Sequence, residues 1–370
     1  MADAVILTAR FGHGHFSAAD NVRSALEELY PELQTRVLDP FEIANPRYYH
    51  FLRGLYRFTA NRLPGVWHLF FRLTDRYAFG ERRFRSHPVV SRFFRTLHDT
   101  YDPRVVISTY PIFADAVEHL CPPGPRRKFP VLTMVTDSVT VNRAWVRGKS
   151  DLWMTADSLT ARTLEKMGVP AERIADTGFP TPPRFVRLLK AKGEKADAAG
   201  DRPLTLLYLP NLGTQNLFRI LDILGCNERL KVILALGDRP RLIRRALHRV
   251  ERLRCDFEVL GWCPDIPDRM LESDMVITKA GGATVHEALA AGCPVVISRV
   301  TPGQEEGNAR LIESLGMGIV VRNVKGLSSL LQFFQQVDYA VLDGLRRNVE
   351  RFRRPDAAYR IAELAKGRMG

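Results

Sequence analysis

The sequence predicts an α/β protein of two doubly wound, Rossmann-like domains, and three observations carry that reading. Short apolar segments of strand length alternate with amphipathic segments of helix length nearly from end to end, the pattern of parallel sheets covered by helices. At 370 residues the chain is too long for one typical core. Its character also changes at one place, where the proline-rich Gly178-Phe179-Pro180-Thr181-Pro182-Pro183 leads into the small and charged stretch 189–201. The expected organisation is a first domain at 1–185, a linker at 186–202, a second domain at 203–345 and a helical tail at 346–370 that packs back on the first domain.

Composition narrows the class. A hydrophobic content of 45% and a charged content of 26% are those of a soluble globular protein. The longest apolar runs have strand length, so no membrane span is expected, and Met1 leads into a strand without a basic leader. Five cysteines, scattered and without CxxC spacing or a histidine cluster, read as reduced cytosolic thiols and not as a metal site. A cytoplasmic location is therefore expected. The net charge of +13 calls for an anionic partner, either nucleic acid or a membrane surface.

In the first half, strands are expected at 4–8, 35–38, 104–108, 131–135, 152–155 and 173–176, with helices between them. The loop after the first strand runs Ala9-Arg10-Phe11-Gly12-His13-Gly14-His15 into a helix. Gly12 and Gly14 let it fold tightly at the carboxyl edge of the sheet and leave His15 at the helix entrance, where a histidine can accept a proton from a hydroxyl. A surface or capping histidine is the plainer alternative, and His13 is the weaker candidate of the two.

The segment 46–104 breaks the alternation. It has no convincing strand and holds twelve arginines against four acidic residues, together with fourteen of the 34 aromatics. Tyr56, Trp67, Phe70 and Phe71 interleave with Arg57 and Arg72. Such basic amphipathic helices suit an anionic lipid interface, with aromatics in the headgroup boundary and arginines on phosphates. Two other readings stand beside it: a helical insert packed on its own domain, and single-stranded nucleic acid, for which no RNP, KH or zinc-knuckle pattern is present.

In the second half, strands are expected at 204–209, 231–235, 257–260, 275–278, 294–298 and 318–321. The fourth of these enters Thr278-Lys279-Ala280-Gly281-Gly282-Ala283-Thr284-Val285-His286-Glu287, a glycine turn and then a helix with Glu287 on its first turn. The two glycines let backbone N–H groups close on a phosphate at the positive helix end, and Glu287 can accept two hydrogen bonds from a ribose diol. An ordinary βαβ crossover would show the same glycines. The polar loop Thr301-Pro302-Gly303-Gln304-Glu305-Glu306-Gly307-Asn308, just past the next strand end, favours a nucleotide-sugar site. The carboxyl edges of two such sheets would face one another across a cleft.

Taken together, five motifs resemble the family 28 glycosyltransferases, in particular the monogalactosyldiacylglycerol synthases and the processive diacylglycerol glucosyltransferases. They are Gly12-x-Gly14-His15 with Ala18-Ala19; Val135-Thr136-Asp137 followed by Trp145; Thr177-Gly178-Phe179-Pro180; Thr278-Lys279-x-Gly281-Gly282-x-Thr284-x-x-Glu287; and Pro302-Gly303-Gln304-Glu305 followed by Asn308. The resemblance implies a GT-B fold and inverting transfer of a hexose from a UDP-sugar to diacylglycerol or a related lipid, on the cytoplasmic face of a membrane; the sequence has no Asp-x-Asp motif for a divalent ion, so a metal-independent transfer is expected. It implies no cofactor beyond the UDP-hexose co-substrate and no nucleic-acid partner. It makes His15 the general base or its support, with Asp137 orienting or sharing the acceptor proton. It places Gly14, Gly281, Gly282 and Thr284 around the donor diphosphate, Glu287 on the ribose, Gln304 and Glu305 on hexose and ribose, and Trp145 on the acceptor side. Two departures stand out. Asn142 takes the place of a family histidine before Trp145, and Pro210-Asn211-Leu212-Gly213-Thr214 replaces a glycine-rich turn, so that Gly213 and Thr214 are the remaining phosphate candidates there. A UDP-sugar enzyme with a soluble substrate, such as an epimerase, and an inactive UDP-sugar sensor are the rival readings.

Overall fold

The computed structural model describes residues 2–12, 14–62, 64–77, 79–121, 129–192, 203–211, 213–303, 305–336 and 340–370. The chain forms two units, one comprising Met1–Pro183, Thr301–Asn308 and Arg354–Gly370, the other Arg184–Val300 and Ala309–Arg353.

The first unit contains β1 (Ala4–Leu7), β2 (Thr35–Leu38), β3 (Val105–Ser108), β4 (Val131–Val135), β5 (Leu152–Thr155) and β6 (Ile174–Asp176), all parallel, in the spatial order β2-β1-β3-β4-β5-β6. The second contains β7 (Leu204–Tyr208), β8 (Leu230–Ala235), β9 (Asp256–Leu260), β10 (Met275–Lys279), β11 (Val295–Arg299) and β12 (Gly318–Val320), also parallel, in the order β12-β11-β10-β7-β8-β9. Every expected strand is present, its ends within one residue of those read from the sequence. The reason is burial: every residue of β1, β3, β4 and β5 is buried, so these helix-covered parallel strands read as short, mostly apolar runs without alternation.

Each sheet winds outward from a central strand and then resumes on that strand's other side. The direction reverses between β1 and β3 in the first sheet and between β7 and β10 in the second. At such a switch point the connecting loops diverge and leave an opening outside the carboxyl ends, where ligands bind in open α/β sheets.

The insert at 46–104 consists of the helices Pro46–Arg62, Pro64–Arg76, Phe79–Ser86 and Pro88–Tyr101, three of them opened by a proline whose missing N–H costs nothing there. It divides between two of the three readings made of it, the outward-facing helices and the insert packed on its own domain. Phe84, Val90, Phe93, Phe94 and Leu97 are buried with Val106, Phe113 and Val131, so its second half is domain core. In its first half Phe51, Leu55 and Phe58, at spacings of four and three, are exposed, as are Val66, Leu69 and Leu73 on the next helix. Those two apolar stripes face outward, the inverse of an ordinary surface helix.

The end of the chain belongs to the first unit from Arg354, later than the expected 346, because Arg346 is held in the second unit on the buried Asp274 while Arg354 donates to the Asp176 carbonyl. Helix Ala357–Lys366 packs small residues (Ala357, Ala358, Ala362, Ala365) inward, on the buried face of helix Gly14–Leu29. Thr301–Asn308, expected in the second domain, also belongs to the first unit. There Gly307 approaches Ser138 so closely that a Cβ would lie 1.7 Å from its carbonyl oxygen.

Gly148 makes a similar approach to helix Phe113–Leu120, where a Cβ would come 2.1 Å from the Asp115 nitrogen and 2.4 Å from the Ala114 carbonyl carbon. Backbone atoms cannot swing aside as a side chain can. Gly148→Ala is therefore expected to lower stability by about 1–3 kcal/mol, read as a reduced thermal midpoint. An unchanged midpoint would refute this account of the contact.

Candidate functional site

The first unit places His15 at its switch point. Helix Gly14–Leu29 starts there because Gly12 takes φ 87°, a left-handed turn that favours glycine, and because Ala18, Ala19, Val22, Ala25 and Leu26 give the helix one buried stripe. Gly14 is the first helical residue, and a Cβ on it would meet no protein atom within 4 Å. His15 Nδ1 lies 3.0 Å from the Thr109 carbonyl oxygen, at the end of β3, and 2.7 Å from Thr136 Oγ1, at the end of β4. A carbonyl can only accept, so Nδ1 carries the hydrogen and Nε2 the lone pair. Burial pushes the His15 pKa down to about 4, against the opposing bond to Thr109, so the ring is neutral at pH 7.

Asp137 follows Thr136 and is nearly buried, its Oδ2 accepting the indole N–H of Trp145 at 2.7 Å. Burial raises its pKa to about 6, and the Trp145 bond holds it from going higher. The Trp145 ring centroid also lies 6.0 Å from that of the His15 ring, so the indole touches both titratable residues. The expected acceptor or membrane role of Trp145 is thereby corrected. The side chain is fully buried among Val135, Trp153, Leu164 and Val169, so it orients Asp137 and cannot meet a lipid surface.

Tyr49 joins the insert to the His15 loop. Its hydroxyl donates to Asp39 Oδ2 at 2.6 Å, and the Arg10 N–H reaches both the Tyr49 oxygen and Asp39. Asp39 also caps helix Pro40–Ala44 through Phe41 N–H and Glu42 N–H.

The second unit builds a separate site at its own switch point. Gly213, after β7, is the N-cap of helix Thr214–Leu224; Gly281, after β10, is the N-cap of helix Gly282–Ala290; neither has a side-chain cap. The first intrahelical bonds run from Leu217 N–H to Gly213 and from Val285 N–H to Gly281. The N–H groups of Thr214, Gln215 and Asn216 and of Gly282, Ala283 and Thr284 thus lack helical acceptors, and two positive helix ends open on neighbouring strands. The loops are tied together where Ala280 N–H donates to the Arg299 carbonyl and Arg299 reaches the Asn211 carbonyl.

Glu287 lies on the second turn of its helix, not on the first, because the helix starts only at Gly282. It is partly exposed, and no hydrogen bond among the described residues engages its carboxylate. Burial raises its pKa to about 7, opposed by the Arg184 guanidinium. Glu305, expected on the hexose and ribose, has Oε2 accepting the Thr301 N–H at 2.8 Å across its own turn, within the first unit. Gln304 lies outside the described residues, as do the side chains of Tyr56, Arg57, Trp67, Phe70 and Phe71, whereas Arg72 is exposed. Asn142 is structural, accepting Ala144 N–H and donating to Thr74.

Sequence reading missed Thr109 and Arg184, whose roles come from strand adjacency and from a helix start, for which no local pattern exists. It also missed Trp262, 76% exposed directly after β9 at the same carboxyl edge. A tryptophan between a strand-end glycine and a polar loop was the available signal.

Two family models match the chain. One is described as monogalactosyldiacylglycerol (MGDG) synthase and matches residues 15–181; the other, the glycosyltransferase family 28 C-terminal domain, matches residues 213–354. The chain is 25% identical over 352 residues to a processive diacylglycerol beta-glucosyltransferase of Bacillus subtilis, covering 94% of this chain and 90% of that protein. It is 24% identical over 370 residues to the chloroplastic monogalactosyldiacylglycerol synthase of Spinacia oleracea, covering 96% of this chain and 70% of that one. Among solved structures, Acinetobacter baumannii MurG superposes with a TM-score of 0.64 at 16% identity over 98% of this chain and 99% of its own, which shows the shared GT-B fold.

The bond from Trp145 to Asp137 has a consequence that needs no substrate. Trp145→Phe removes the donor and keeps the ring, so the Asp137 pKa is expected to rise above about 6. Carboxyl-carbon NMR titration reads this directly, and an unmoved titration would mean that the indole does not hold the carboxylate.

Proposed function

We propose that this glycosyltransferase, matched by the family 28 C-terminal domain model over residues 213–354, transfers a hexose from UDP-glucose or UDP-galactose to diacylglycerol or a related lipid, with inversion, without a metal ion, at the cytoplasmic face of a membrane. The observation that carries the donor half is the pair of helix N-termini without side-chain caps at Gly213 and Gly281, with the partly exposed Glu287 on the second turn of the latter helix. Six N–H groups and two helix dipoles favour a diphosphate, and a carboxylate one turn further suits a ribose diol. Trp262 offers an exposed flat face to the base. The outward stripes Phe51-Leu55-Phe58 and Val66-Leu69-Leu73, on arginine-rich helices, support the lipid half.

In the proposed reaction the acceptor hydroxyl oxygen attacks the anomeric carbon opposite the leaving group, and the bond from that carbon to the UDP oxygen breaks. The hydroxyl proton passes to His15 Nε2, the nitrogen that the Thr109 and Thr136 contacts leave with its lone pair. The Asp137 carboxylate favours the imidazolium that forms, and the charge developing on UDP is met by the helix N-termini.

The deciding experiment incubates the pure protein with diacylglycerol in anionic vesicles and each UDP-hexose, with and without EDTA. A glycolipid from one donor, unaffected by EDTA, is expected. UDP binding without product would favour the sensor, and a changed soluble sugar the epimerase-like reading. His15→Ala should lower turnover by about two to four orders of magnitude, and near-normal turnover would remove His15 from the mechanism. At saturating UDP-hexose, kcat/KM for the acceptor should fall as pH drops through about 6, where Asp137 takes up its proton.

Glu287→Ala should weaken UDP binding about ten- to a hundredfold, the loss of charged hydrogen bonds to two hydroxyls. Calorimetry checks this, and the same variant should leave 2′,3′-dideoxy-UDP binding unchanged. An equal loss for both nucleotides would take Glu287 off the ribose.

A further inference from the structure

The short helix Ala144–Arg147 stands between the His15 pocket and the insert. At one end Trp145 meets the pocket through its bond to Asp137 and its ring contact with His15. Two residues on, Arg147 grips the insert. Its Nη1 donates to the carbonyls of Thr74 at 3.0 Å and Tyr77 at 3.4 Å, its Nη2 to that of Asp75 at 2.6 Å, and Nη1 also pairs with the buried Glu81 carboxylate. Thr74 and Asp75 lie in the last turn of helix Pro64–Arg76, where carbonyls lack helical partners and the dipole is negative, so the guanidinium caps that helix from a distant part of the chain. Arg143 N–H bonds Asp75 Oδ1 at 2.7 Å, and Asn142 reaches Thr74. The far side of the turn is fixed: Gly148 abuts the backbone of Ala114 and Asp115, and Lys149 N–H donates to Glu118 at 2.8 Å.

We propose that Arg147 is a positioning residue for the transfer step, making the placement of Trp145, and through it of Asp137 and the His15 ring, depend on how helix Pro64–Arg76 is seated. Docking of that helix's outward Val66, Leu69 and Leu73 on a lipid surface then sets the proton-accepting pair, so that chemistry is coupled to the interface. The inference rests on the reading of the insert as a membrane-docking element. Lysine cannot replace Arg147, because one ammonium cannot reach three carbonyls and a carboxylate in the fork geometry.

The test uses the full chain and Arg147→Lys, with phosphatidylglycerol–phosphatidylcholine vesicles. Hydrogen–deuterium exchange reads the coupling without catalysis. In the wild type, vesicles are expected to slow exchange at 64–77 and also at 142–147; in Arg147→Lys only the first effect should remain. Turnover on vesicles should fall about ten- to a hundredfold in the variant, the cost of a misplaced catalytic group, with KM for the UDP-hexose unchanged. Protection at 142–147 that survives in Arg147→Lys, or undiminished turnover on vesicles, overturns the proposal. If vesicles slow exchange at 64–77 alone in the wild type, the membrane reading stands and the Arg147 link falls; if they affect neither segment, both fall. Should Arg147→Lys not fold, Glu81→Gln leaves the carbonyl bonds and removes the charge partner. It should weaken protection at 142–147, and no change there overturns the proposal.

Discussion

Both sheets are parallel, and their central strands are buried on both faces. That constraint governs everything else in the molecule. With both faces of those strands covered, and only hydroxyl side chains such as Ser108 and Thr133 as polar groups among their buried residues, chemistry is driven to the strand ends, and the reversal of winding at β1/β3 and β7/β10 decides which ends are open. His15, Thr109, Thr136 and Asp137 follow β1, β3 and β4 in one unit; Gly213, Gly281 and Glu287 follow β7 and β10 in the other. The two groups differ in kind. One gathers a buried histidine and a buried carboxylate, the other backbone N–H groups at two helix starts.

Burying a histidine and a carboxylate in one pocket pulls them in opposite directions. Between pH 6.5 and about 4 the unfolded chain takes up a proton that folded His15 refuses, so His15 makes the fold less stable as pH falls through that window. Asp137 has the opposite sign: between 3.8 and about 6 the folded state holds a proton that the unfolded chain releases, so its contribution is lost as pH rises. The two effects oppose each other across most of that range. Fixed partners make the arrangement tolerable, because the Thr109 carbonyl, the Thr136 hydroxyl and the Trp145 indole occupy groups that would otherwise be buried unpaired.

The insert divides along its length. Its later helices give Phe84, Phe93, Phe94 and Leu97 to the core, while its earlier helices turn apolar stripes outward. Exposed apolar stripes are a liability unless something covers them, and it is these stripes, on arginine-bearing helices, that the proposed lipid docking would cover. Tyr49 at the start of this segment and Arg147 opposite its second helix tie it to the loops that carry His15 and Asp137.

The sequence by itself determined the twelve strands, the two-sheet architecture, and the placement of His15, Gly213 and Gly281 just past strand ends at helix starts. All of these are local signals: apolar runs forced by burial on both faces, glycines at turns, a titratable residue at a helix entrance. Only the tertiary structure decided that Trp145 is a buried support for Asp137, that Glu305 closes its own turn, that Thr301–Asn308 belongs with the first unit, and that half of the insert is core. Each of these depends on which distant backbone a side chain meets, and periodicity is silent on that. An aromatic–arginine helix has the same pattern whether its apolar stripe faces a core or a solvent; the direction is settled only when the remaining elements have taken the buried positions.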